Sequence, residues 1–402
     1  MSDFYQVGVV ATFHRLGSQN LDKLEEQLSW YSHERPIALV LPCLYSELEG
    51  DALPAIVRQL KDVKYLKEIV VGLALASPGE FQHARQFFSE LPQKTTIIWQ
   101  EGPRISSLYQ AIEEAGLHVG QQGKGKGVWM SYGYILAMQA FHTIALHDCD
   151  ILTYNRELLA RLCYPVTNPN LNYSFCKGYY SRITDRMHGR VTRLLFTPLI
   201  RSLQKIIGYH PLLVFFDSFR YALAGEFSMD VDMARSTRIP GDWGLEVGML
   251  AEVYRNTSLR RLCQVDISEN YDHKHQVLSP EDASLGLHKM SVDICKSIFR
   301  TLESEGIIFS EGFFKTLVAS YVRTAQDMLK RYEDDAAVNC LFFDRHAENL
   351  AVETFTDGIR KAAEKITQDP LGVPLISSWD RVTSALPDIL DAIKDAVAAD
   401  ND

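Results

Sequence analysis

A chain of 402 residues is two to three domains' worth of polypeptide. With 46% hydrophobic and 23% charged residues, it has neither the polarity that keeps disordered chains open nor the bias of fibrous ones. The 41 Lys and Arg against 51 Asp and Glu give a net charge of -10, which argues against a nucleic-acid-binding surface and makes any anionic ligand depend on a local basic pocket.

Residues 1–35 form an N-terminal segment without a basic stretch leading into an apolar one, and nowhere do about 18 uninterrupted apolar residues occur. The seven cysteines are scattered and include no C-x-x-C pair, so reduced thiols, a cytoplasmic location and no membrane span are expected. From Pro36 the pattern changes. Pro36 to Leu44 (PIALVLPCL) is a short apolar run that reads as a buried strand, and Ala52 to Val63 has the spacing of an amphipathic helix. The alternation recurs with a strand at Leu66 to Leu75, a helix at Pro78 to Glu90 and a strand at Thr95 to Trp99. A helix from Lys126 to Ala140 precedes a further strand, Thr143 to His147. Buried strands alternating with helices predict an α/β fold with a mostly parallel sheet covered on both faces.

Residues 151–280 mix short strands, Ser174 to Tyr179 and Arg261 to Ile267, with helices at Val191 to Ile207 and Gly244 to Arg255. They read as an acceptor-binding half that completes a catalytic domain over 36–280, with 36–150 as the other half. Beyond Pro280 the spacing becomes helical throughout: Ala283 to Glu303, Glu311 to Tyr332, Ala351 to Ile366 and Ser378 to Ala398. Residues 281–402 are therefore expected to be an all-α extension with a frayed acidic end.

Several constellations bear chemistry. Asp148-Cys149-Asp150 follows a buried strand directly, and strand alternation points the two carboxylates to one side, as hard oxygen ligands for Mg²⁺ or Mn²⁺. The bland alternative is a pair of solvated turn aspartates. Gly123-Lys124-Gly125-Lys126-Gly127 opens a helix, where free N–H groups and a lysine suit a phosphate, although the P-loop spacing is absent and a flexible surface loop is equally compatible. His273, just after a strand, is either a surface histidine or the partner that completes a metal shell with Asp150. Gly189-Arg190-Val191-Thr192 combines helix amides, a guanidinium and a hydroxyl, which suit a phosphate or carboxylate or form an ordinary helix start. Gly225-Glu226 and the Trp243 to Gly248 stretch containing Glu246 each place an acid among glycines and apolar residues, to bind a sugar hydroxyl or to cap a helix.

Taken in order, the segments VLPCLYSE, GKGKGVW, HDCDI, CKGYYSR, GRVTRLLFTPL, ALAGEF, PGDWGLEVGML and QVDISENYDHKHQ resemble the retaining GT-A glycosyltransferases that make glucosyl-3-phosphoglycerate, and the related mannosyl-3-phosphoglycerate synthases. They span roughly Pro36 to Gln276. The resemblance implies a GT-A fold, Rossmann-like, and transfer of glucose from a UDP- or GDP-sugar to 3-phosphoglycerate. Mannosyl transfer from GDP-mannose, or a non-catalytic sugar-nucleotide module, are the alternatives. It further implies that Pro42, Leu44 and Glu47 line the nucleotide pocket and that Lys124 contacts the donor. Asp148 then faces the sugar nucleotide, while Asp150 and His273 hold Mg²⁺ or Mn²⁺. Arg190, Val191 and Thr192 bind the acceptor phosphate, with His275 standing where an acceptor-contacting Asn can occur. Glu246 holds sugar hydroxyls, and Gly225 and Glu226 lie beside the reacting centre. Gly72 to Ser77 replaces the Asp-Ser-Gly-Ser-type turn of such enzymes, and a homodimer is expected.

Overall fold

A computed structural model describes residues 5–6, 8–16, 20–241, 244–273, 277–369 and 375–402. Its strands are β1 (Ala11–Phe13), β2 (Ile37–Leu44), β3 (Leu66–Ala74), β4 (Lys94–Trp99), β5 (Thr143–Leu146), β6 (Phe175–Tyr180), β7 (Phe227–Asp230) and β8 (Leu262–Ser268). They form one sheet in the order β1-β8-β6-β7-β5-β2-β3-β4, parallel except for β7, which runs antiparallel to both β5 and β6. The helices of the first half are α1 (Leu21–Tyr31), α2 (Ala52–Leu60), α3 (Pro78–Phe88), α4 (Pro103–Glu114), α5 (Lys124–Met138) and α6 (Arg156–Thr167). Next come α7 (Thr197–Ile207), α8 (Pro211–Asp217), α9 (Val231–Ser236) and α10 (Leu245–Asn256). The extension comprises α11 (Gly286–Ser304), α12 (Glu311–Val338), α13 (Arg345–Gln368), α14 (Trp379–Ala385) and α15 (Ile389–Asn401).

The near-continuous apolar runs become strands because both faces of the sheet are covered. In β2, Ile37, Leu39 and Leu41 enter one apolar cluster while Ala38 and Val40 enter the other, as a side-chain period of two requires. Helices α5, α10 and the extension cover one face; α2, α3 and α6 cover the other.

Two regions differ from the sequence expectation. The segment ahead of Pro36 does not stand apart: β1 pairs in parallel with β8 at the sheet edge. Three residues are too short for their periodicity to announce a strand. The acidic C-terminus is not frayed either. Asn401 donates to the carbonyl of Ile97 at 2.8 Å and accepts from its N–H at 2.9 Å, so a side-chain amide covers the open edge of β4. Asp400, buried beside it, pairs with Arg104. Between α14 and α5, Trp379 stacks on Trp129 with centroids 4.2 Å apart, and each indole N–H donates to a main-chain carbonyl, Trp379 to Trp129 and Trp129 to Ser377. A Cβ on Gly133 would lie 2.2 Å from the Trp379 ring, so only glycine admits this contact.

Candidate active site

The carboxyl ends of the parallel strands converge on one edge, where ligands bind in open α/β sheets. β5 ends at Leu146, and the chain runs on through His147 and Asp148 to Ile151, which forms an isolated antiparallel bridge with His273 beyond β8. The neighbouring bonds from Leu152 N–H to Asp272 O, at 2.8 Å, and from Asp272 N–H to Thr153 Oγ1, at 3.0 Å, fasten the two segments together. This zipper is what carries His273 to Asp150, with Nδ1 3.6 Å from Oδ2.

Lys124 is the first residue of α5, so the glycine-rich stretch is the opening turn of a helix. Its Nζ lies 2.6 Å from Asp148 Oδ1 and 3.3 Å from Glu246 Oε1, bridging the end of β5 to the first turn of α10. Burial alone would lower the Lys124 ammonium, but the carboxylates of Asp148 and Glu246 outweigh it and raise its pKa. Burial likewise opposes ionisation of Asp148, yet Lys124 holds that carboxyl below its ordinary value. Gly225 makes room for this arrangement, since a Cβ there would come within 2.6 Å of Asp148 Oδ2. His147, pushed down to about 4 by burial, is neutral at pH 7 and donates through Nδ1 to the Asp148 carbonyl at 2.9 Å.

Lys124, Asp148, Gly225 and Glu246 line a cavity of about 450 Å³, together with Tyr180, Tyr271 and His273. The same lining includes Arg182, Arg186, His188 and Arg190 beside Val191 and Thr192. Gly189 at φ +74° turns the chain into a π-helical turn, Val191–Phe196, that continues as α7 and delivers Arg190 and Thr192 to the cavity. The Thr192 hydroxyl is buried without a hydrogen-bond partner among the described residues. Leu287, Met290 and Ile294 of α11 supply an apolar wall.

Not every expected residue reaches this cavity. Glu226 is fully buried and accepts from the Tyr180 hydroxyl at 2.9 Å and from that of Tyr271. Burial raises its pKa, with Asp148 adding to the effect. It therefore sits beneath two stacked tyrosines, 3.7 Å between centroids, instead of among the lining residues. Pro42 and Leu44 lie at the end of β2, and Glu47 in the 3₁₀ turn after it, on the same sheet edge but outside the cavity. Leu75, in the turn after β3, holds φ at +55° and is 66% exposed beside them. His275 and Trp243 fall outside the described residues.

The sequence reading gave no role to Arg182, Arg186 and His188, although three arginines and a histidine within Arg182 to Arg190 are a visible cationic run. Nor did it single out Lys177 of β6, which is fully buried and has no hydrogen-bond partner among the described residues. Desolvation pushes Lys177 down to about 8, against the opposing pull of Glu246 and Glu226.

Among the described residues no group of three or more His, Cys, Asp or Glu side chains is gathered to hold a metal ion. The Asp150 and His273 pair nevertheless fits a six-coordinate divalent cation: a hard oxygen and an imidazole nitrogen already face each other, both partly exposed, so phosphate oxygens and water can complete the shell.

No family model matches the chain. Over its full length it is 48% identical to glucosyl-3-phosphoglycerate synthase of Persephonella marina, across 401 residues covering 99% of that protein. The glucosyl-3-phosphoglycerate synthase of Methanococcoides burtonii is 39% identical over 99% of this chain and 98% of its own. Among solved structures, that of the Mycobacterium tuberculosis glucosyl-3-phosphoglycerate synthase with Mn²⁺, UDP-glucose and phosphoglyceric acid superposes with a TM-score of 0.53 at 19% identity, covering 75% of this chain and 89% of that one. Mannosyl-3-phosphoglycerate synthase from Rubrobacter xylanophilus gives 0.52 at 19% identity, covering 72% and 85%. These structural likenesses concern the fold.

Proposed function

The chain belongs to the glucosyl-3-phosphoglycerate synthase family, and from that premise we propose that it moves glucose from a nucleoside diphosphate glucose to 3-phosphoglycerate with retention at the anomeric carbon. The observation that carries this reading is the lining of one cavity: two carboxylates bridged by Lys124, three arginines, and a buried hydroxyl without a partner among the described residues. Hydroxyl-rich sugar suits the carboxylates and a phosphorylated carboxylic acid suits the arginines.

Asp150 and His273 would hold Mg²⁺ or Mn²⁺; when bound, the cation supplies Lewis-acid stabilisation of charge on the leaving diphosphate. Lys124 orients Asp148 and Glu246 towards the sugar hydroxyls and brings its own positive charge to the donor. Pro42, Leu44 and Glu47 form the shelf for the nucleotide at the end of β2. Glu226 fixes the Tyr180 and Tyr271 hydroxyls, and so acts through the cavity floor. Arg190, with Val191 and Thr192, takes the acceptor phosphate. The acceptor hydroxyl then attacks the anomeric carbon from the face the diphosphate leaves, the glycosidic bond forming as the bond to the phosphate oxygen breaks, and its proton passes to the departing diphosphate. Alignment of the two substrates contributes up to roughly 7 to 11 kcal/mol in oriented reactions of this kind.

No helix among the described residues is long and apolar enough to cross a membrane, and six of the seven free cysteines are buried. A cytoplasmic enzyme with reduced thiols accords with both. A homodimer is part of the same reading; light scattering would give twice the chain mass.

Incubation with 3-phosphoglycerate, Mn²⁺ and separate UDP- and GDP-linked glucose and mannose tests the reaction. Mass spectrometry should find a hexosyl-phosphoglycerate and released nucleoside diphosphate with a glucose donor. Absence of product from both glucose donors would contradict the reading.

A further inference from the structure

One carboxylate of the helical extension is bonded to a guanidinium that lines the cavity. Glu348, in the first turn of α13, is 4% exposed, and its two oxygens are shared between two arginines: Oε1 accepts from Arg190 Nε at 2.7 Å and Oε2 from Arg193 Nη2 at 3.0 Å. The two arginines are not equivalent. Arg193 also donates through Nε and Nη2 to the carbonyls of His188 and Met187, and its guanidinium stacks on Tyr332 at 4.9 Å; its Nη1 is buried without a partner among the described residues, and Arg193 is not among the cavity's lining residues. Arg190 lines the cavity, and its two terminal nitrogens have no partner among the described residues.

We propose that Glu348 is a positioning residue for the acceptor: by gripping Arg190 at Nε from behind, it turns the two free Nη groups towards an incoming phosphate. The inference deepens the glucosyl-3-phosphoglycerate reading and rests on it for the identity of the anion. The charges support it. One carboxylate between two guanidiniums leaves a single net positive charge, and Arg190 is the member that carries it to the cavity. A guanidinium held by Nε keeps the planar two-pronged edge that matches phosphate oxygens, whereas a freely rotating one loses that order on binding. Thr192, whose buried hydroxyl also lacks a partner among the described residues, stands two residues away on the same turn. Glu348 itself is absent from the cavity lining, which distinguishes a support from a carboxylate that occupies the phosphate position. The extension is thus part of the acceptor site, and it holds the same loop at a second point, where Phe342 N–H donates to Asp185 O at 2.8 Å.

The test combines initial-rate kinetics with calorimetric titration of 3-phosphoglycerate and of inorganic phosphate into the full-length enzyme. Glu348→Gln should raise KM for 3-phosphoglycerate at least about ten-fold, the effect of losing one charge-assisted hydrogen bond, and weaken phosphate binding in parallel, with donor KM unchanged within two-fold. In an Arg190→Ala background the same change should add less than a further two-fold. Arg190→Lys keeps the charge but has no Nε to grip; it should lose acceptor affinity as Glu348→Gln does, and it carries the test if the Glu348 variant fails to fold. Unchanged or tighter acceptor binding in Glu348→Gln, equal losses for donor and acceptor, additivity in the Arg190→Ala background, or a fully active Arg190→Lys enzyme would each overturn the proposal. If the wild type fails to use 3-phosphoglycerate at all, the reaction assignment fails, while the phosphate titrations still decide the role of Glu348.

Discussion

Lys177 carries a cost that a pH series can expose. With a folded pKa of about 8 against an ordinary 10.5, the unfolded chain binds a proton that the folded one lacks between those values, so this group's contribution to stability rises with pH across the window. Below about pH 8 the buried ammonium is charged and its penalty is fully present. Lys177→Met should therefore stabilise the protein at pH 7, on the order of 1 to 3 kcal/mol, with the gain shrinking towards pH 10; a lower Tm at pH 7 than wild type would contradict this. Arg190 makes the complementary prediction at the site. Removing a guanidinium that meets a phosphate costs about 1.5 to 3 kcal/mol for each charge-assisted hydrogen bond, so Arg190→Ala should raise acceptor KM by ten-fold or more and leave donor KM nearly unchanged. Equal losses for both substrates, read from initial rates, would argue against an acceptor role.

The α5 and α14 contact is the fold's most demanding fit at the scale of elements. Ala at position 133 would drive a Cβ into the Trp379 ring, so Gly133→Ala should destabilise by about 1 to 3 kcal/mol through overpacking, visible as a lowered denaturant midpoint. A midpoint equal to wild type would mean that α14 docks more loosely. The elements differ in how readily sequence revealed them. β2, β3 and β5 were legible as buried apolar runs, and HDCD was legible because it follows one of them directly. The 378–398 stretch, read as one helix, is two, since Pro387 lies between Ala385 and Ile389 and cannot donate a helical hydrogen bond. The π turn before α7 leaves no mark on apolar spacing. Asp150 and His273 come together through a bridge between segments more than a hundred residues apart, which the family resemblance anticipated and local pattern does not encode. Glu348 was beyond reach for the same reason, as a lone acid in a helix with nothing local to mark its partners.

At the scale of the molecule, a chain of net charge -10 gathers three arginines in the lining of one cavity, which is how an acidic protein can admit an acceptor bearing both a phosphate and a carboxylate. The extension takes part in that focus, since α11 walls the cavity and α13 braces Arg190, while α15 returns to cover β4 at the opposite edge of the sheet. The transfer step rests on the central claim that Asp150 and His273 hold a divalent cation against the donor diphosphate. The direct measurement is the initial rate of nucleoside diphosphate release from a glucose donor and 3-phosphoglycerate, taken in chelator and then across a Mn²⁺ titration for wild type, Asp150→Asn and His273→Ala. The account predicts no turnover in chelator, recovery of the wild type with Mn²⁺, and variants at least about 100-fold slower at wild-type saturation. Undiminished turnover in chelator, or variants as fast as wild type, would contradict it.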